Sequence, residues 1–186
     1  MKDRNALVTG STRGIGAAVA EALAAEGCDV MLSGFGETAA IEAERERLAR
    51  QYGVSVAYNP ADLSEEADCD SLVEATVGAF GSVDILVNNA VIRYFHGIDE
   101  FPRNEWNHAI AVNVTAPFIL TQKVLPGMRE RKWGRIVNQS TDEKSFWEPT
   151  FVPWGMEPHE IIELHRRFYR EFYFRPVTLA RHAENL

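Results

Sequence analysis

The chain has 186 residues, 46% hydrophobic and 25% charged, which suits one domain with a buried core and excludes a disordered chain. Its formal charge of -8 argues against a nucleic-acid or anionic-membrane surface. Cys28 and Cys69 lack metal-ligand spacing, residues 1–5 run straight into a strand, and no apolar run looks long enough to cross a bilayer. Free thiols, no signal peptide, no metal and a cytoplasmic location are therefore expected.

Residues 6–8 read as a buried parallel strand. Thr9-Gly10-Ser11-Thr12-Arg13-Gly14-Ile15-Gly16 follows it and opens an alanine-rich helical pattern that runs to Glu26. In that setting the glycines let the backbone turn sharply and let a pyrophosphate approach. The helix start at Gly14 offers unpaired N–H groups and a positive dipole end. A Gly-rich octet alone is also a plain turn; between strand and helix it reads as a dinucleotide cradle made by Gly10, Thr12, Arg13, Gly14, Ile15 and Gly16.

Residues 29–33 form the second strand, and Gly34-Phe35-Gly36 falls where a fold of this kind meets the adenosine ribose. Ser33, Gly34 and Phe35 bring no carboxylate there, and Glu37 is the nearest. Arg13 either pairs with a 2'-phosphate or is a solvated turn residue. Residues 38–52 make an amphipathic helix with Ile41 and Leu48 on one face, a charged wet surface, and a stop at Gly53. Residues 54–58 alternate as a third strand, with Asp62 and Leu63 beyond its carboxyl end. Asp62 either accepts from an adenine amino group or begins the next helix, 64–80, with Ser64 as N-cap.

Residues 83–87 are the most apolar strand. Asn88-Asn89-Ala90 sits at its tip, where two amides can brace neighbouring strands and a small residue leaves room for a flat ring. After a loop holding Arg93, Tyr94, Phe95 and His96, a helical pattern over 104–110 continues through 112–115. Pro117 interrupts it, and it resumes over 118–131 with Ile119, Val124 and Leu125 as core. Arg129, Arg131 and Lys132 there complement the helix dipole. A fifth strand over 135–139 carries Ser140 and Thr141 at its tip. In the tail, 157–172 forms an amphipathic helix whose Leu164, Phe168 and Phe172 stripe reads as packing.

These residues resemble the short-chain dehydrogenases/reductases. Thr9 to Gly16 is similar to the family's glycine motif, Asn88-Asn89-Ala90 to its Asn-Asn-Ala-Gly, Asn113 to its helix asparagine, and Gly134-Arg135-Ile136-Val137-Asn138 to its fifth strand. Ser33-Gly34-Phe35-Gly36, Asp99-Glu100-Phe101-Pro102 and Leu125-Pro126-Gly127-Met128-Arg129 resemble the 3-hydroxybutyrate dehydrogenase branch. The resemblance covers residues 1–141. It implies an α/β Rossmann-type doubly wound parallel sheet in the order 3-2-1-4-5, C-terminally truncated or replaced, with residues 142–186 as an atypical tail. It also implies NAD, with NADP as the alternative, held by the cradle together with Phe35, Asp62, Leu63, Asn89 and Ala90. The implied partner is a small hydroxy acid or ketone such as 3-hydroxybutyrate, and a homo-oligomer is compatible with it. Asn113 would hold a water or main chain in the proton path; Thr141, with Ser140 beside it, would polarise the carbonyl.

Three departures qualify the resemblance. Val91 replaces the glycine after Asn-Asn-Ala, and Arg93 stands where the branch carries a substrate-binding glutamine. No tyrosine is followed four residues later by lysine; about Trp154 and Pro158 occupy the places of the family's Tyr-x-x-x-Lys. Losing that acid/base implies a penalty of at least about 10²- to 10⁴-fold in proton transfer. The expected function is an oxidoreductase of this type with an incomplete catalytic set, the rival being a catalytically silent dinucleotide-binding or subunit-pairing module.

Overall fold

Five short strands form one parallel sheet in the computed structural model, which describes residues 1–138. They are β1 (Asn5–Val8), β2 (Asp29–Ser33), β3 (Val56–Asn59), β4 (Ile85–Asn88) and β5 (Arg135–Asn138), in the order β3-β2-β1-β4-β5. This is the order expected from the sequence. Parallel neighbours need crossovers, supplied here by α1 (Gly14–Ala25), α2 (Thr38–Tyr52), α3 (Glu66–Phe80) and, between β4 and β5, α4 (Arg103–Ile110) and α5 (Ala116–Glu130). Leu7, Val8, Val30, Leu32 and Leu86 have at most 1% of their surface exposed, as strands covered on both faces require. The readings of Gln139, Ser140, Thr141, the 157–172 helix and the 142–186 tail lie outside the described residues.

Local boundaries follow local chemistry. Helix α2 begins where Glu37 accepts from the N–H groups of Ala39 and Ala40 at 3.0 and 2.7 Å, and it ends at left-handed Gly53. Its expected face is buried through Ile41 and Leu48, and its charges pair outward as Arg47–Glu44 (2.7 Å) and Arg50–Glu46 (3.1 Å). Helix α3 begins at Glu66, after Glu65, so Ser64 is not its N-cap. Ser64 instead turns back, its N–H and Oγ both donating to Asp62 Oδ1 at 2.9 and 2.8 Å.

The long crossover helix departs most from expectation. Pro117 does not break it: the proline sits in the first turn of α5, where its missing N–H is tolerated, and the residues Ala111–Thr115 run as a π-helical turn joining α4 to α5. The result is one helical run of 28 residues, Arg103–Glu130, long and apolar enough to cross a membrane by length and composition. That corrects the expectation of no such run. Within this unit the helix is a layer on the sheet, with Ala116, Leu120, Val124 and Met128 buried at i, i+4 spacing in the main core with Leu72 and Leu86. Of the expected core positions Val124 is in this stripe, while Ile119 and Leu125 lie half-buried at its side. Arg131 is more than a partner for the dipole: its Nε reaches Asp84 Oδ1 at 3.2 Å and its Nη2 donates to Val83 O at 2.9 Å.

Both cysteines are buried free thiols. Burial, followed by the charges of Asp68, Asp70, Glu66 and Asp62, pushes Cys69 from 9.0 up to about 11. A folded-state pKa above the unfolded one means that this contribution is complete below about pH 9 and lost as pH rises through about 11. Urea unfolding free energies measured from pH 8 upward are expected to fall across that window, and Cys69→Ala is expected to flatten the fall. Alkylation by iodoacetamide at pH 8 is expected to be slow until the chain unfolds.

Candidate functional site

The carboxyl ends of β1, β2 and β4 meet around the turn that carries Gly10, Gly14 and Gly16. Gly10, at φ +63, turns the chain out of β1, and the Cα of Ala90 stands 3.0 Å from where a Cβ on Gly10 would be. One turn later, a Cβ on Gly16 would lie 2.1 Å from Gly10 O and 2.4 Å from Asn89 Nδ2, so α1 approaches the sheet through a bare backbone. Gly14, at φ +59, has no described atom within 4 Å of its missing Cβ. Among the described residues it opens onto free space at the start of α1. That helix has no acidic side chain in its first turn and no side-chain cap on its leading N–H groups. Unpaired donors, a dipole end and an open approach over glycine fit a diphosphate.

The amides at the tip of β4 brace the cradle as expected. Asn89 Nδ2 donates to Thr9 O (2.9 Å) and Gly10 O (3.1 Å), and Asn88 Nδ2 to Asn138 Oδ1 (2.7 Å), tying β4 to β1 and to β5. Sequence reasoning missed Thr9, whose buried Oγ1 accepts from the N–H groups of Asn89 and Ala90, both at 3.0 Å. Its place as last residue of the strand-turn junction was the available signal. Ser11 was also missed: it ties the turn to β2 through its N–H to Ser33 O (2.8 Å), and its Oγ accepts from Ser33 N (2.9 Å).

On the β2 side, Thr12 Oγ1 donates to Phe35 O at 2.8 Å, fixing the turn whose phenyl ring stands 63% exposed. Tyr58 Oη closes the same turn from β3, donating to Gly34 O at 2.7 Å. No free carboxylate comes with it, because Glu37 is engaged as the α2 cap. Arg13 is exposed beside the cradle with no side-chain bond to a described residue, and Ile15 is half-buried in the first turn. Asp62 is half-buried, its carboxyl held below the usual carboxylate range by the two Ser64 bonds, with a smaller contribution from nearby His108. Oδ1 is taken by Ser64, leaving Oδ2 to accept from a ligand. The side chain of Leu63 belongs to the core, 8% exposed, so only its main chain is left for a cofactor.

Asn113 lies in the π-helical turn, a distortion that re-aims a side chain within a helix. Its Oδ1 accepts from Ile92 N and its Nδ2 donates to Ile92 O, both at 2.9 Å, so of the two expected partners it holds main chain. Ser140 and Thr141 lie outside the described residues. A shallow groove between α3 and α5, lined by Val77, Ser82, Lys123 and Arg131, sits at the opposite end of the strands and belongs to no part of this site.

The family model described as short chain dehydrogenase matches residues 4–150. The chain is 42% identical over 138 residues to D-beta-hydroxybutyrate dehydrogenase of Cupriavidus necator, covering 74% of this chain and 53% of that protein. It is 36% identical over 176 residues to the Rhizobium meliloti protein of the same name, covering 95% and 68%. It thus spans about half the length of the first relative and about two thirds of the second. Among solved structures, L-sorbose reductase from Gluconobacter frateurii complexed with NADPH and L-sorbose is 29% identical at TM-score 0.71, covering 92% of this chain and 62% of that one. A 3-oxoacyl (acyl-carrier-protein) reductase from Agrobacterium tumefaciens with NADP bound is 38% identical at TM-score 0.67, covering 74% and 52%.

Proposed function

Since the chain belongs to the short-chain dehydrogenase family, we propose that it binds a nicotinamide dinucleotide and serves oxidoreduction of a small hydroxy acid or ketone, such as 3-hydroxybutyrate. The observation that carries this reading is the uncapped start of α1, open over Gly14 among the described residues, next to a turn packed on Ala90 at Gly10 and braced by Asn89. The diphosphate would lie on the N–H groups of residues 14–16. Phe35 and Arg13 would flank the adenosine ribose, Asp62 Oδ2 and the main chain of Leu63 would meet the adenine, and Asn89 and Ala90 the nicotinamide half. The bound nicotinamide supplies or takes up hydride. Asn113 would fix the chain beside the reacting carbon, and Ser140 and Thr141 would polarise the substrate oxygen.

The Gly-Phe-Gly turn suggested NAD. Two observations favour NADP at least equally: the end of β2 carries no carboxylate of its own, Glu37 beyond it being engaged as the α2 cap, and Arg13 is exposed at the start of α1. The neighbours named above also hold NADP or NADPH. Fluorescence titration is expected to give NADPH a dissociation constant no weaker than that of NADH, and Arg13→Gln to weaken NADPH selectively, by about tenfold. Absorbance with 3-hydroxybutyrate and acetoacetate then tests turnover. Dinucleotide binding without turnover supports the silent module, which the absence of any tyrosine followed four residues on by lysine favours. No binding of either dinucleotide would overturn both readings.

The same reading includes a homo-oligomer. Trp106, Ile110, Val114 and Phe118 recur every four residues on the long helix and are 38–62% exposed, a stripe suited to a second copy. Light scattering of Val114→Asp/Phe118→Asp is expected to report a smaller particle than wild type; equal masses would remove this part.

A further inference from the structure

Beyond Ser33 the chain leaves the sheet, and the turn Gly34-Phe35-Gly36 is held by side chains from two other parts of the fold. Up to that point β2 is fixed to the cradle through the main chain, Ser11 N donating to Ser33 O at 2.8 Å. After it, Tyr58 Oη donates to Gly34 O at 2.7 Å and Thr12 Oγ1 to Phe35 O at 2.8 Å, so two hydroxyls hold successive carbonyls. Gly34, at φ +142, is seated on the second of them: Thr12 Oγ1 stands 3.1 Å from where a Cβ would be.

A planar trans peptide sets its N–H opposite to its carbonyl. With Gly34 O drawn to Tyr58 and Phe35 O to Thr12, the N–H groups of Phe35 and Gly36 are turned away from those hydroxyls. Neither has a partner among the described residues, and the Phe35 ring beside them is 63% exposed. The turn thus offers two main-chain donors and a ring, while both hydroxyls are spent on holding it. Satisfying a buried group does not account for the Tyr58 bond, because the residue is half-buried and water can take the place of Gly34 O. Burial pushes the phenol above its ordinary value, which keeps it a donor near neutral pH. We infer that Tyr58 is a positioning residue: with Thr12 it presets the turn that meets the adenosine end of the dinucleotide, and so sets affinity for that half of the ligand alone. This rests on the dinucleotide reading above and deepens it, since Tyr58 acts on the ligand only through the turn.

Presetting matters because a turn that adopts its binding form only about a tenth of the time weakens apparent affinity about tenfold. The experiment uses the full chain and saturation-transfer NMR with two probes, 2',5'-ADP for the adenosine end and nicotinamide mononucleotide for the other. Tyr58→Phe is expected to weaken 2',5'-ADP about tenfold, to leave nicotinamide mononucleotide within about twofold, and to move the urea midpoint little. Thr12→Val is expected to do the same, and Thr12→Ser, which keeps the hydroxyl, to recover most of the loss. The double variant Tyr58→Phe/Thr12→Val is expected to be about as weak as either single one, because one lost tie already frees the turn. Unaltered 2',5'-ADP affinity in Tyr58→Phe, or equal losses for the two probes, would overturn the positioning role. Losses that multiply in the double variant, or equal losses in Thr12→Ser and Thr12→Val, would overturn the shared hold with Thr12. NADPH fluorescence is read on the same samples: no response with the wild type marks failure of the dinucleotide reading, which removes this inference as well, and a normal response separates that case from failure of the turn.

Discussion

Gly16→Ala is expected to abolish dinucleotide binding and to cost about 3 kcal/mol of stability, the sum of overpacking and lost hydrogen bonds. The added methyl would stand 2.1 Å from Gly10 O and 2.4 Å from Asn89 Nδ2, and neither is the free end of a flexible chain. Relief requires α1 to move off the sheet or Asn89 to leave Thr9 O and Gly10 O, and either movement spoils the cradle. Urea denaturation measures the stability loss and NADPH fluorescence the binding loss. Gly14→Ala is the informative contrast. Its methyl meets no described atom but sits at φ +59, so it should cost only about 1–2 kcal/mol while still projecting into the diphosphate's approach. Stability near wild type for Gly16→Ala would contradict the packing described above.

Asp84→Ala is expected to cost about 3 kcal/mol and to leave dinucleotide affinity of the folded fraction within about twofold of wild type. Asp84 is 3% exposed, and its carboxylate accepts from Asn5 N (3.2 Å), Ser82 Oγ (3.3 Å) and Arg131 Nε (3.2 Å). Its main chain is hydrogen-bonded to Asn5 O and to Arg135 N, so the residue joins the starts of β1, β4 and β5. Arg131 is 35% exposed, and the ion pair by itself is therefore worth less than the orphaned donors. Asp84→Asn, which keeps one oxygen, should lose about half as much. Thermal and urea melts of the three proteins, with NADPH titrations at a temperature where all are folded, check both parts. A binding defect larger than the folded fraction explains would show that the two ends of the strands are not independent.

Much of this was legible because the relevant forces are local. A strand buried on both faces reads as an apolar run, and a cradle needs glycines at fixed offsets, so β1, β2, the turn through Gly16 and the bounds of α2 could be taken from the residues themselves. The brace at Asn88 and Asn89 was legible for a similar reason: amides at the tip of a parallel strand have few partners besides the neighbouring strands. Errors came where a partner or a distortion that the local pattern does not show decided. Ser64 has the right chemistry for an N-cap, yet the Asp62 carboxylate two residues back outcompetes the helix for it. Pro117 looks like a break, but the π-helical turn before it places the ring in a first turn. Arg131 resembled a generic dipole partner until β4 brought Asp84 within 3.2 Å of it.

By itself the sequence determined the alternation of strands and helices and the position of the glycine turn, because periodicity, glycine spacing and helix ends are properties of short stretches; the strand order followed from the family resemblance. Only the tertiary structure decided that Thr9 is a clamp, that Leu63 belongs to the core, that Asn113 grips Ile92 and that Tyr94 and His96 are tied to α4. Each of these joins residues between nine and eighty-one positions apart or depends on which face is turned inward. Partners at such separations are chosen by how the layers pack, and no local pattern in the chain encodes that choice.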